Sequence, residues 1–295
     1  YTNTGFKNEI SAFAKAGYDI GKFTLFGDAQ LRHATFTYNG DVAMPNLDWT
    51  FFNPKAGIVY KHNKRVSAYA SVGQSHREPT RTDMFGGEDN LIEYSEVIPE
   101  EVIDYEIGTS YITNRLGIKG NLYYMDFKNE ITLIGALGSY GLPLTANVET
   151  SFRSGIELDM YYKLLKTNKH EVLLSNNTSL SHNRIVIGGN EFQPLYTPPV
   201  ISNSGITYNT NGFYVGINAT YNSNSYIDVK NEYISPEYLV YGATIGYTRG
   251  GTTISGKINN ITNQKYYGNG IVDGGTRYFQ ISAPRSVYIT LKLVI

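Results

Sequence analysis

The sequence predicts an all-β protein, a transmembrane antiparallel β-barrel, and two observations carry that prediction. Apolar and polar residues alternate over long segments, and these segments are joined by connections that are short and long in turn. Residues 99–131 show the alternation best, with Ile103, Tyr105 and Ile107 on one face and Asp104 and Glu106 on the other. A side-chain period of two is that of a strand with one apolar and one polar face.

About thirteen segments show this pattern, and several run for more than ten residues. A tilted membrane-spanning strand needs about 9–11 residues, whereas a strand of a soluble protein averages about 5–6. The lengths therefore favour a membrane barrel over a soluble propeller or sandwich. The segments lie near residues 6–18, 22–38, 50–61, 65–76, 101–112, 115–134, 150–164, 170–184, 199–209, 213–226, 237–248, 252–262 and 285–295.

The connections between these segments predict the orientation of the barrel. Short turns alternating with long loops are typical of bacterial outer-membrane barrels, with the turns in the periplasm and the loops outside. Aromatic residues gather near both kinds of connection, as in the two aromatic girdles of such barrels. The predicted turns lie near residues 19–21, 62–64, 113–114, 166–169, 210–212 and 249–251, and the predicted loops near 39–49, 77–100, 135–149, 185–198, 227–236 and 263–284.

The last segment gives the sharpest local pattern. Val287, Ile289 and Leu291 alternate with Tyr288 and Thr290 up to the end of the sequence. We expect the odd positions of residues 285–295 to face lipid and the even positions to face the lumen, in a strand that closes the barrel.

Composition excludes several other classes of protein. The 295 residues carry a net charge of -1, which gives no basic patch for nucleic acid, and with no cysteine there are no disulfides. No apolar run reaches the roughly 18 residues of a transmembrane helix. A single barrel domain is expected over residues 1–295, and a first residue of Tyr1 suggests a mature or cut piece of a longer protein.

Three stretches resemble the β-barrel of TonB-dependent outer-membrane receptors, in the style of Bacteroides-like bacteria. They are NPKAGIVYKHNKRVSAYASVGQSHREPTRTDMF (53–85), PEEVIDYEIGTSYITNRLGIKGNLYYMDFKNEI (99–131) and NITNQKYYGNG…APRSVYITLKLVI (260–295). The resemblance implies the C-terminal part, about 13 strands, of a 22-stranded plugged barrel in the outer membrane of a Gram-negative bacterium. It also implies that the plug, the first strands and the contact with TonB lie outside this chain. The final Ile295, where the family usually has Phe, is a departure.

The function that this resemblance implies is import of a ferric siderophore or a similar iron complex, with no catalysis and no cofactor. A cobalamin or haem receptor of the same family and a passive porin stay open as alternatives. The sequence contains no HExxH, G-x-S-x-G or P-loop motif, which leaves an outer-membrane phospholipase as a weak enzyme alternative.

The candidate ligand-binding residues lie in or beside the predicted outer loops. Arg77 and Arg81 have the donor geometry for an anionic metal chelate, although they can equally pair with Glu78, with Asp83 or with a plug. In haem receptors of the family that the sequence resembles, the histidine typically follows the box, whereas His76 precedes the Arg-Glu-Pro box, so the resemblance disfavours haem. The aromatic and basic loop residues that can stack on or hydrogen-bond a bulky ligand, or simply cover one another, are Tyr94, Tyr140, Tyr226, Arg277 and Tyr278.

Two further expectations concern loops and lumen. The loop 77–98 is expected to close over the ligand, with Gly86-Gly87 as its hinge. Charged residues on the polar faces of strands are expected to point into the lumen with a structural role: Lys119, Arg153, Glu157, Asp159, Lys257 and Lys292.

Overall fold

The computed structural model describes residues 3–40, 42–85, 96–138 and 141–294 of the chain. In this part the elements are β1 (Thr4–Ile20), β2 (Phe23–Asn39), β3 (Leu47–Lys61), β4 (Val66–Arg77), α1 (Arg81–Phe85), β5 (Glu100–Ile112), β6 (Leu116–Lys128), β7 (Ile131–Leu137), β8 (Pro143–Asn147), β9 (Thr150–Lys166), β10 (His170–Ile187), β11 (Asn190–Phe192), β12 (Val200–Thr210), β13 (Phe213–Asn222), β14 (Ser225–Tyr226), β15 (Ile234–Ser235), β16 (Tyr238–Arg249), β17 (Thr252–Asn259), β18 (Tyr267–Asp273), β19 (Thr276–Ile281) and β20 (Ser286–Leu293).

One antiparallel sheet of 14 strands forms the body of the chain. Its path is β1-β2-β3-β4-β5-β6-β9-β10-β12-β13-β16-β17-β20, and the short β11 pairs beside β10. Consecutive long strands are neighbours throughout, which is the up-and-down order of an outer-membrane barrel. Each strand on this path overlaps one of the segments predicted from the sequence, so the all-β prediction is confirmed.

The two faces of this sheet differ in chemistry. Ile107 lies opposite Leu122, which lies opposite Ile156, and all three side chains are exposed. On the other face Lys119 lies opposite Asp159. An exposed apolar face is the lipid-facing wall of a barrel, and the polar face is its lumen. The expected lumenal direction of the charged strand residues is confirmed by this register.

The last strand follows the predicted alternation. Leu291 lies opposite Ile254 on the apolar face, and Thr290 lies opposite Ser255 on the polar face. Leu291 is 64% exposed, which fits a lipid-facing side chain. In the described part of the chain β20 pairs with β17 and β1 pairs with β2, so these two strands end the strand order.

The short turns lie where the sequence predicted them, and backbone conformation explains one of the tightest. Asn211 and Gly212 join β12 to β13 with φ values of 44° and 84°. Positive φ at both central residues is the type I′ turn that matches the twist of a hairpin, and asparagine followed by glycine adopts it most easily.

Some predicted boundaries were wrong. The segment 115–134 is broken after Lys128, because Asn129 takes a left-handed φ of 54° and turns the chain out of the sheet. Ile131–Leu137 then forms a separate hairpin with β8. Likewise Ser225–Tyr226 leaves the predicted segment 213–226 to pair with β15.

The predicted loops also contain more order than expected. The loop 263–284 holds the hairpin of β18 and β19, and the loop after β4 holds the one-turn helix α1. Met84 and Phe85 of α1 pack on Phe36 at the outer end of β2, so this loop is anchored to the wall. Among the described residues, no helix is long and apolar enough to cross a membrane.

Candidate functional site

Arg77 lies at the outer end of β4 and joins three elements. Its Nε and Nη2 donate to both oxygens of Glu100 on β5 at 2.8 and 3.1 Å, and its Nη1 contacts Asp83 of α1 at 3.2 Å. Nη2 also donates to the carbonyl of Ile131, whose own N–H donates to Glu100 at 2.8 Å. The Arg77–Glu100 pair therefore holds the base of the β7–β8 hairpin.

Asp83 of α1 connects Arg77 to the second strand of the same hairpin, β8. It accepts hydrogen bonds from the N–H and hydroxyl of Thr80, both at 2.8 Å, and from the hydroxyl of Thr145 on β8 at 2.7 Å. Burial raises the pKa of Asp83, but these hydrogen bonds and the charge of Arg77 outweigh burial and lower it. Thr80 and Asp83 form the reciprocal cap of a helix start. Their T-x-x-D spacing was a signal for α1 that sequence reasoning missed.

Glu78, the next residue along, is buried in a second ionic cluster. Its carboxylate is paired with Arg32 on β2 and with Lys7 on β1, the latter at 2.6 Å. Burial opposes the charge, but the hydrogen bonds from Arg32 and Lys7 lower the pKa of Glu78 to about 2. The sequence allowed Glu78 as a partner of Arg77, whereas in the structure it binds the first two strands.

His76 and Arg81 also have partners in the wall. The imidazole of His76 stacks on Phe51 at 5.3 Å, and its Nδ1 lies 2.9 Å from the side-chain oxygen of Asn53. The guanidinium of Arg81 lies 5.9 Å from the centre of the Tyr38 ring. Both residues therefore support the outer rim on the side of β2, β3 and β4.

Four outer connections converge into one layer, here named the outer-loop assembly: the β7–β8 hairpin and the segments 193–197, 226–235 and 267–281. Asn231 exchanges two hydrogen bonds with the backbone of Gln193, at 2.7 and 2.9 Å. A Cβ placed on Gly135 of β7 would lie 3.7 Å from Leu195, so this hairpin contacts the same layer. Ile227 is almost fully buried at its centre.

Tyr196 links three segments of the outer-loop assembly. Its backbone has a left-handed φ of 57°, which a tyrosine adopts only where the surroundings hold it there. Its N–H donates to the carbonyl of Tyr226 at 3.0 Å, and its hydroxyl donates to the carbonyl of Gly270 on β18. Burial raises the pKa of Tyr196 above its ordinary value.

A cavity of about 530 Å³ lies within the outer-loop assembly. Apolar and aromatic side chains dominate its wall, and neutral amides supply polar contacts, whereas none of the described residues that line it carries a charge. This chemistry suits an uncharged ring or chain held by surface contact. The lining residues are Leu133, Leu137, Gly141, Pro143, Tyr196, Asn269, Gly270, Ile271, Tyr278, Phe279 and Gln280.

The predicted ligand residues are thus divided between two places. Tyr278 lines the cavity, and Tyr226 holds Tyr196 through its carbonyl. Arg277 lies opposite Val272 in the same hairpin as Tyr278. His76, Arg77 and Arg81 lie at the rim around α1, linked to the cavity through the β7–β8 hairpin. Tyr94, Tyr140 and the proposed hinge Gly86-Gly87 lie outside the described residues.

Sequence reasoning missed Tyr196 and Phe279. One signal was available for Phe279: Asp273-Gly274-Gly275 stands between alternating residues, and an Asp-Gly pair in such a setting predicts a hairpin. Gly274 and Gly275 do adopt positive φ values of 53° and 77°. No local pattern indicated Tyr196, because its partners come from other loops.

The sheet and its loops define a class of protein, an outer-membrane barrel with an ordered layer of outer loops. A family model described as "TonB dependent receptor-like, beta-barrel" matches residues 1–261. The chain belongs to this family of outer-membrane transport receptors.

Solved structures share the fold. The ferric yersiniabactin uptake receptor FyuA from Yersinia pestis has a TM-score of 0.78 and 16% identity, over 99% of this chain and 46% of that one. The copper transporter OprC has a TM-score of 0.77 and 17% identity, over 98% and 48%. The unliganded ferric citrate transporter FecA has a TM-score of 0.78 and 17% identity, over 99% and 45%. The chain therefore spans just under half of the length of each. No curated protein matches the sequence.

Proposed function

We propose that the receptor containing this chain imports a ferric siderophore or a similar iron complex, driven by TonB. Family membership supports import, and two of the similar structures bear names of ferric-complex receptors. The observation that carries the proposal is the outer-loop assembly, because it holds a cavity of about 530 Å³ on the side of the barrel where an imported complex arrives.

Two sets of residues then share the recognition. The cavity around Tyr196, Tyr278 and Phe279 takes the uncharged rings or chains of the chelator. Arg77 and Arg81 at the rim attract its anionic groups, with Tyr94, Tyr140, Tyr226, Arg277 and His76 as further contacts. Because Arg77 is already paired with Glu100 and Asp83, its part also includes holding the β7–β8 hairpin in place.

Equilibrium binding to the purified full-length receptor tests the ligand class. The probes are a ferric tris-catecholate, a ferric tris-hydroxamate, ferric citrate, haemin and cyanocobalamin. We expect one ferric chelate to bind at least about tenfold more tightly than haemin and cyanocobalamin, a difference of about 1.4 kcal/mol. Tightest binding of haemin or cyanocobalamin would replace the proposed ligand with that alternative, and binding of none would contradict the proposal.

Variants of the two sets test the residues. Replacing both arginines, Arg77→Ala with Arg81→Ala, should weaken binding of the selected chelate by tens-fold, because charge-assisted hydrogen bonds contribute about 1.5–3 kcal/mol each. Phe279→Ala should weaken it through lost ring contact. Unchanged affinity of the arginine variant, with the barrel still folded, would leave these residues a purely structural role.

A further inference from the structure

The six short turns in the described part of the sheet share one spacing at the periplasmic end of the barrel. Each turn follows a tyrosine whose cross-strand partner is apolar, which places the tyrosine on the lipid-facing side: Tyr18, Tyr60, Tyr111, Tyr162, Tyr208 and Tyr247. Four positions after the tyrosine, the first four turns carry a lysine or arginine and the last two carry glycine: Lys22, Lys64, Arg115 and Lys166, then Gly212 and Gly251. The six turns therefore share a tyrosine position and differ in charge.

The four basic turns are neighbours along the rim of the barrel. The backbone carbonyls of Lys22, Arg65 and Arg115 each accept a hydrogen bond of 2.8 Å from the next hairpin along the sheet. These bonds place the turns side by side, so that their basic residues form one continuous group. The group, here named the basic rim, consists of six exposed residues: Lys22, Lys64, Arg65, Arg115, Lys166 and Lys169.

The basic rim keeps its positive charge within the described residues. None of its six side chains forms an ion pair there. Two acids lie close by on the same turns, but the Asp19 carboxylate accepts a hydrogen bond from the Thr24 hydroxyl, and Glu171 is paired with Lys163 at 2.7 Å. The whole sequence has 25 Lys and Arg against 26 Asp and Glu, so the excess of positive charge at these turns comes from placement.

The tyrosines define the depth of the basic rim in the membrane. Tyr111 and Tyr162 are 41% and 42% exposed on the face that meets lipid. Tyrosines that face lipid near the ends of barrel strands lie at the level of the lipid head groups. The basic residue four positions further on lies on the turn, at the outer limit of that level. Its long flexible stem allows the charge to reach a head-group phosphate.

The strand order keeps the lipid-facing side of these turns open in a larger barrel. In the described chain β1 and β20 end the strand order, so further strands pair beyond them. Lys64, Arg65 and Arg115 lie on turns between β3 and β6, away from both ends. A plug occupies the lumen, which is the other face of the sheet. The outer side of the basic rim therefore meets the membrane.

Charge and depth together identify the partner. Clusters of lysine and arginine at a membrane surface attract anionic lipids, and the head-group phosphates of phospholipids lie at the depth that the tyrosines define. We propose that the basic rim binds anionic phospholipid head groups in the periplasmic leaflet, and that the two glycine turns do not. This contact lies at the opposite end of the barrel from the outer-loop assembly, and it does not depend on the import function.

Lipid contact at two turns tests the proposal with an internal comparison. The chain contains no cysteine, so a fluorophore can be attached through Asn114→Cys on a basic turn or Thr210→Cys on a glycine turn of a cysteine-free full-length receptor. The receptor is placed in phosphatidylcholine vesicles with a minor share of phosphatidylglycerol, and one of the two lipids carries brominated chains that quench a nearby fluorophore. We expect phosphatidylglycerol to be enriched at least about threefold over its bulk share at position 114 and not at position 210. Equal enrichment at the two positions, or none at 114, would overturn the proposal.

Removal of charge tests the cause of the enrichment, in barrels shown to be folded by heat-modifiable migration. Arg65→Gln with Arg115→Gln should lower the enrichment at position 114 to under about half. Lys230→Gln with Lys265→Gln removes the same charge from exposed positions in the outer loops and should leave the enrichment unchanged. Salt at about 1 M, where the Debye length is about 3 Å, should abolish it. Enrichment that survives the first pair of substitutions or the salt, or that falls equally in both pairs, would overturn the basic rim as a lipid site.

Discussion

The buried ionic cluster around Glu78 allows a prediction about stability and pH. Glu78 follows β4 and is bound by Arg32 of β2 and Lys7 of β1, so it connects the outer ends of strands that are distant in sequence. Its side chain is 6% exposed and that of Arg32 is 15% exposed. Glu78→Gln keeps the shape of the side chain and removes its charge, which makes it the cleanest perturbation of this cluster.

The size of the effect follows from the pKa. The pKa of Glu78 falls from 4.5 to about 2 on folding, equivalent to about 3.5 kcal/mol at about 1.4 kcal/mol for each pH unit. Since Lys7 is half exposed, water screens part of the attraction between the charges. We therefore expect Glu78 to contribute about 2–3 kcal/mol to the free energy of unfolding at neutral pH. A lowered pKa means that the contribution is complete above pH 4.5 and is lost as the pH falls towards about 2.

Urea unfolding of the full-length receptor in detergent measures this contribution. The variant should be about 2–3 kcal/mol less stable at neutral pH and within about 1 kcal/mol of the original protein near pH 2. Glu9→Gln is the matched control, because Glu9 contacts the same Arg32 at 3.1 Å but is 41% exposed and should cost under about 1 kcal/mol. A deficit that does not change with pH, or an equal deficit from the control, would refute the reasoning.

Three further predictions concern the wall and the loops. Leu291→Arg should destabilise the receptor by about 2–4 kcal/mol in urea unfolding, and Thr290→Arg by under about 1 kcal/mol, because only the first places a charge in lipid; a reversed order would mean a wrong register. Tyr196→Phe removes the hydrogen bond to Gly270 and should weaken binding of the selected ferric chelate, which a titration of both proteins would show. Asn129→Ala should cost about 1 kcal/mol in the same unfolding assay, and Asn129→Gly almost nothing, since glycine is free to adopt the left-handed φ.

The sheet was predictable because its determinants are local. Strict alternation over ten or more residues, and turns such as Asn211-Gly212, fix strands and hairpins without information from elsewhere in the chain. At one of the wrong boundaries a single backbone conformation was responsible. Asn129 directly follows β6, and its left-handed φ diverts the chain into the β7–β8 hairpin, which begins at Ile131.

The cavity was only partly predictable because its wall is assembled from three separate connections. Leu133, Tyr196 and Phe279 come from different loops, and no spacing within any one of them indicates the other two. Tyr278 was identified from composition alone, as an aromatic residue in a long loop. For Arg77 the sequence suggested two roles, binding a ligand or pairing with a nearby carboxylate. In the structure Arg77 forms ion pairs with Glu100 and Asp83.

Energy-dependent accumulation of iron by living cells tests the central claim most directly. Cells that express the complete receptor, with and without TonB, receive the ferric chelate selected by the binding assay as radioactive iron. We expect uptake that saturates at low concentration and falls at least about tenfold when TonB is removed, because active import needs the coupled energy source. Uptake that rises linearly with concentration and is the same without TonB would contradict the claim and identify a passive porin.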